Sequence, residues 1–151
     1  MPGYMVPFTK TGADSVLEVA ELYAAPSTGI RRTKWYSFGI ACTAASNDGV
    51  HQYVVRRITN TGTGTVTTPA PLDVADAVSF AISKHLITVD AASFAAGVEL
   101  YREPLNGRAS WQWNANPGRE LVTPATATNG CGIGLSAASA STYAGNIGFE
   151  E

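Results

Sequence analysis

Charge is what this sequence has least of. Only 15% of its 151 residues are Asp, Glu, Lys or Arg, against roughly 25% in an average soluble domain. Ten basic and twelve acidic residues leave a net charge of −2, so there is no basic field to displace counterions from a nucleic acid. Two arginine doublets, Arg31 with Arg32 and Arg56 with Arg57, are local exceptions. Neighbours in a strand point to opposite faces, so neither doublet makes a one-sided basic patch. The four are read as surface or intersubunit residues.

Metal ligands and nucleophiles are equally scarce. His51, His85, Cys42 and Cys131 are the only residues of their types, and a zinc site needs three or four such groups converging. No serine lies in a GxSxG elbow. The glycine-rich "GTGT" and "GCGIG" lack the lysine and the strand–helix setting of a phosphate loop. The expectation is a non-enzymatic protein with no cofactor and no metal. Cys42 and Cys131 are read as thiols in strands, and whether they pair stays open. No stretch approaches the roughly 20 apolar residues of a bilayer span. The N-terminal "MPGYMVPFTK" lacks the charged start and apolar run of a signal peptide, so synthesis in a cytoplasm and no membrane partner are expected.

What is present is alternation, broken by Gly, Pro, Asn and Asp, which marks strands. "KWYSFGIAC" sets Tyr36, Phe38, Ile40 and Cys42 on one face, with Ser37, Gly39 and Ala41 on the other. The turn signal "SNDG" and the run "HQYVVRRIT" then predict an antiparallel hairpin. "GVELYREPL" and "ASWQWNA", on either side of Asn106 and Gly107, predict another. Pro69 and Pro71 make "NTGTGTVTTPAPLD" a loop or an edge arm. In "GCGIGLSAAS" Cys131, Ile133 and Leu135 share a face, and the glycines between them allow close approach of another backbone. In "TYAGNIGFEE" the shared face is Tyr143, Ile147 and Phe149. "DSVLEVAELYAA" and "DVADAVSFAISKHL" fit helix and strand equally. The fold class is all-β: one antiparallel, jelly-roll-like β-sandwich over 16–151, preceded by an extended arm over 1–15, with room for one short helix.

Trp111 and Trp113 share a strand face, roughly 7 Å apart at strand rise. That spacing suits stacking on a sugar chain or bases. It equally suits burial, where each large ring removes on the order of 150–250 Å² from water. The second reading is preferred, with Trp111, Trp113 and Phe149 as anchors in the core or in a subunit seam.

The C-terminal third, "WQWNANPGRELVTPATATNGCGIGL" followed by "GNIGFEE", resembles small head decoration (cement) proteins of tailed bacteriophages and prophages. Upstream, "GTGTVTTPAPLD" and "ELYAAPSTGIRRTKWYSFGIA" are similar to the same proteins, so the likeness spans residues 20–151; the segment 90–97 does not match. The resemblance implies a jelly-roll-like protein that binds the outside of the capsid shell at junctions between major capsid subunits. It implies a virion location and a homotrimer, or a dimer as second choice. On that reading Tyr4 and Phe8 of the arm join Arg31, Arg32, Arg56 and Arg57 as interface candidates. The alternative is a carbohydrate-binding β-sandwich, tail-associated or receptor-binding, that uses Trp111 and Trp113.

Overall fold

In the computed structural model, residues 1–11, 16–26, 29–44, 48–137 and 139–151 are described. They form two antiparallel sheets packed as a sandwich. The front sheet holds β1 (Gly3–Lys10), β3 (Lys34–Ala44), β6 (Ala70–Pro71), β9 (Ser110–Asn114), β10 (Leu121–Val122) and β12 (Thr142–Glu150). Its order is β10-β3-β12-β1-β6, with β9 also pairing β3. The back sheet holds β2 (Glu18–Ala24), β4 (Val50–Ile58), β5 (Thr63–Thr67), β7 (Ala81–Val89), β8 (Glu99–Asn106) and β11 (Gly130–Leu135), in the order β5-β7-β2-β11-β4-β8.

The N-terminal segment is a strand of the front sheet rather than an arm. β1 pairs with β12 from Gly3 to Lys10, because Tyr4, Val6 and Phe8 alternate strictly with more exposed neighbours and all three are buried. Pro7 is tolerated because β6 covers β1 only at Tyr4 and Met5, so the Pro7 edge needs no donor. Residues 12–15 of the expected arm, and the first two residues of "SNDG", lie outside the described residues.

Both expected hairpins are sheet-to-sheet crossings. β3 pairs with β12, β9 and β10, whereas β4 pairs with β11 and β8. Likewise β8 pairs with β4 and β9 with β3. A turn signal reverses the chain without choosing the edge that receives it. Crossing sets Phe38 and Ile40 in one layer and Tyr53 and Val55 in the other, so the large faces of the flanking strands meet in one core.

A bulge also corrects the face reading of β3. Ser37 pairs with Gly148 but Trp35 with Phe149, leaving Tyr36 as the extra residue. Trp35 therefore enters the core at 0% exposure, and Tyr36 turns outward beside Gly148. The two ambiguous segments contain strands, β2 and β7; the only helix among the described residues is α1 (Ala92–Ala96). β2 is buried along its whole length on both faces, which removes the alternation that would have marked it as a strand.

A small second core lies on the outer side of the back sheet, where Phe94 of α1 packs with Val54, Ile58, Ala91 and Leu17. The glycines of β11 make room for it. A Cβ on Gly132 would sit 2.8 Å from the Phe94 ring and 2.3 Å from a Glu18 carboxylate oxygen.

Candidate functional site

The tryptophans are packing residues in this arrangement. Trp111 meets Phe38 edge-on at 4.7 Å, and Trp113 stacks on Phe38 at 5.0 Å and touches Tyr101 at 5.3 Å. Trp111 is buried, Trp113 is half-buried at the margin of the same core, and Gln112 and Asn114 are exposed on the opposite face. Phe149 is fully buried and stacks on Tyr4 at 5.4 Å.

Of the residues expected at an interface, four are taken up within the chain. Tyr4 and Phe8 are core side chains, because β1 is paired inside the sheet. Arg56 donates to the carbonyls of Phe94 and Ala95 at 3.2 and 3.3 Å and pairs with Glu99 at 3.2 Å, closing the C-terminal end of α1. Arg57 donates to the Val122 carbonyl at 3.0 Å and so ties the back sheet to β10. Arg31 and Arg32 are exposed, and the Arg31 guanidinium lies 4.6 Å from the centre of the Phe80 ring.

That contact leads to a surface feature absent from the sequence reading. In the loop over 72–80, Leu72, Val74, Val78 and Phe80 are 61, 97, 65 and 38% exposed. The loop is fixed from several sides. Leu72 N–H donates to the Gly3 carbonyl at 2.8 Å. The Asp73 side chain accepts from Ala75 N–H at 2.9 Å, a local Asx turn. The Tyr4 hydroxyl donates to the Ala77 carbonyl at 3.0 Å. The buried Glu151 carboxylate accepts from the N–H groups of Phe80 and Ala81 at 2.7 and 3.1 Å. The terminal acid therefore braces this loop. Its only signal in the sequence was the acidic pair, Glu150 and Glu151, that ends "TYAGNIGFEE".

A second feature unmarked by sequence is a buried carboxylate cluster between β2 and α1. Asp90 accepts from the N–H groups of Leu17 and Glu18 at 3.0 and 2.7 Å, while Glu18 accepts from Ala91 N–H at 3.0 Å. Glu21 accepts from Gly62 N–H at 3.0 Å and lies 3.6 Å from Lys84, which also donates to the Gly62 carbonyl. One oxygen of Glu18 and one of Glu21 have no hydrogen-bond partner. Burial, with Glu21 adding to it, pushes the Glu18 carboxyl up to about 8, so it is largely protonated at neutral pH. Burial also raises Glu21, against the pull of Gly62 N–H and Lys84. Asp90 and Glu18 hold the segment before α1 onto the sheet, and Glu21 with Lys84 holds the chain at Gly62. Among the described residues no three His, Cys, Asp or Glu side chains are grouped to hold a metal ion.

His51 is buried and shares a 2.8 Å hydrogen bond with the Tyr143 hydroxyl beside a cavity of about 430 Å³. His85 contacts the Thr9 carbonyl at 3.3 Å. Both cysteines are free; burial pushes the Cys131 thiol up to about 12, which makes it unreactive. Among the described residues no helix is long and apolar enough to cross a membrane. Comparison of the chain with models of protein families, with curated proteins and with solved structures finds no match.

Proposed function

We propose that this chain is a bacteriophage capsid decoration protein. It binds the outside of the shell at junctions between major capsid subunits, carries out no catalysis, and contacts the shell through the loop over 72–80. The observation that carries this reading is the loop itself, four large apolar side chains exposed on a segment braced by Gly3, Tyr4 and Glu151. Apolar side chains clustered at a surface mark a protein-binding site. A braced loop loses little conformational entropy on docking, so more of the burial energy appears as affinity. The resemblance of 20–151 to head decoration proteins supplies the partner.

Expanded shells lacking the protein provide the test. Saturable binding that raises the shell's melting temperature is expected, and Val74→Asp with Val78→Asp should abolish it while leaving the fold intact. Absence of saturable binding by the wild-type chain sinks the proposal. The carbohydrate-binding alternative draws less support, because the Trp111 and Trp113 rings are already packed against Phe38 and Tyr101.

A further inference from the structure

The strand edges of the sandwich are guarded unequally. In the front sheet β9 is five residues long, as β5 is, but has Tyr101 of β8 against its Trp113 at 5.3 Å, and the outer strands β6 and β10 are two residues long. Short edges offer little template for pairing. At one end of the back sheet, β8 carries Glu99, Arg102, Glu103 and Pro104, with Arg102 bonded to Glu99 at 2.7 Å. Charge and proline on an edge strand oppose intermolecular pairing. At the other end, β5 reads Thr63-Gly64-Thr65-Val66-Thr67, with no charge and no proline, and its ladder partner is β7 alone.

We propose that β5 pairs with β5 of a second copy of this chain, antiparallel, about a twofold axis through Thr65. The five residues are self-complementary in that register. Thr63 faces the second copy's Thr67, a pairing of β-branched side chains favoured across strands. Gly64 faces the second copy's Val66, so the smallest residue meets the largest. Val66 is 58% exposed in the single chain. The side-chain space of Gly64 is already filled by Ile87, whose Cδ1 lies 2.7 Å from where a Cβ would stand. Val66 of one copy is thus set beside the Gly64 backbone of the other, over a surface already closed by the His85 carbonyl oxygen and by Ile87, which is 2% exposed. A twofold, isologous contact repeats each of these pairs. The strand pair alone buries less than the roughly 1,200 Å² of a stable interface. The contact is accordingly weak in dilute solution and favoured where copies are crowded. It does not depend on the shell-binding reading.

Disulfide trapping tests it. On a Cys42→Ser background, which leaves only the buried Cys131, Thr65→Cys places two thiols across the axis. Directly opposed residues of an antiparallel pair have Cα atoms roughly 4.5–5.5 Å apart, within disulfide range. Mild oxidation of concentrated protein is expected to shift most of the chain from 15.8 kDa to twice that mass. The same treatment of Glu103→Cys on β8 should leave it monomeric. Equal trapping at the two edges, or none at Thr65, overturns the proposal. Hydrogen exchange of the unmutated chain gives a second reading: amides of 63–67 should gain protection as concentration rises while those of 99–106 do not. Protection of 63–67 that is independent of concentration also overturns it.

Discussion

β2 buries both its faces, but against different chemistry. Val19, Ala20 and Leu22 belong to the core between the sheets, where Trp35 meets Phe38, Tyr53 meets Tyr143 and Phe149 meets Tyr4, ring against ring. Glu18 and Glu21 belong to the outer side, where Glu18 meets the segment that leads into α1 and Glu21 meets Gly62 and Lys84. The inner core gains stability from area and aromatic packing, and burial raises its Tyr53 and Cys131 to about 12, far above the carboxylate range. The outer cluster has little apolar area and is closed by carboxylates and main-chain N–H groups. Its stability should therefore follow the protonation of those carboxylates, while the inner core should be nearly indifferent to pH.

The largest expected effect comes from hollowing the inner core. Phe38→Ala removes the ring on which Trp35, Trp111 and Trp113 converge. It should cost about 3–5 kcal/mol in chemical denaturation, with a loss that is the same at pH 5 and pH 8. A loss below 1 kcal/mol would break the comparison.

Next comes the pH dependence itself. The Glu18 carboxyl is raised from 4.5 to about 8 in the folded chain, so between those values the native state holds a proton that the unfolded state has released. Glu18's contribution to stability is therefore greatest below pH 4.5, falls as pH rises towards 8, and then levels off. The fall should be at most about 5 kcal/mol. Glu18→Gln, neutral at every pH, should flatten this slope and be the more stable protein at pH 9. Parallel melting curves for the two proteins across that range would show that Glu18 does not control the cluster.

Phe94→Ala should cost about 2–3 kcal/mol, near or below the low end for a buried phenylalanine, because a one-turn helix can settle onto the space left behind. It should raise hydrogen exchange at 91–97 before the front sheet responds. Smallest of all, Val78→Ser should change stability by less than about 0.5 kcal/mol, as exposed substitutions do, while weakening shell binding. A marked drop in its melting temperature would mean that the loop over 72–80 packs on its own chain.

Much of the fold was legible in the alternation of side chains. Phe38 with Ile40, Cys131 with Ile133 and Leu135, and Tyr143 with Ile147 and Phe149 each share a buried face. The glycines of β11 read as sites of close approach, and Phe94 and Glu18 lie on Gly132. The turn over Asn116 to Arg119 closes with a 2.9 Å bond and places Gly118 at φ 81°, a conformation that favours glycine. The loop over 72–80 was not legible, because "LDVADAVSF" has the spacing of a buried amphipathic segment. Only its bracing by Tyr4 and Glu151 leaves it outside.

By itself the sequence determined that this chain makes strands and which side chains of most strands turn inward, since a period of two is a local property of the backbone. Tertiary structure decided which strands are neighbours, and so made crossings of two apparent hairpins and a sheet strand of an apparent arm. It also decided that Glu18 and Glu21 are buried, because the desolvation of a carboxylate depends on what is laid over it, and nothing in "LEVAEL" states that the segments at Ala91 and Gly62 will be.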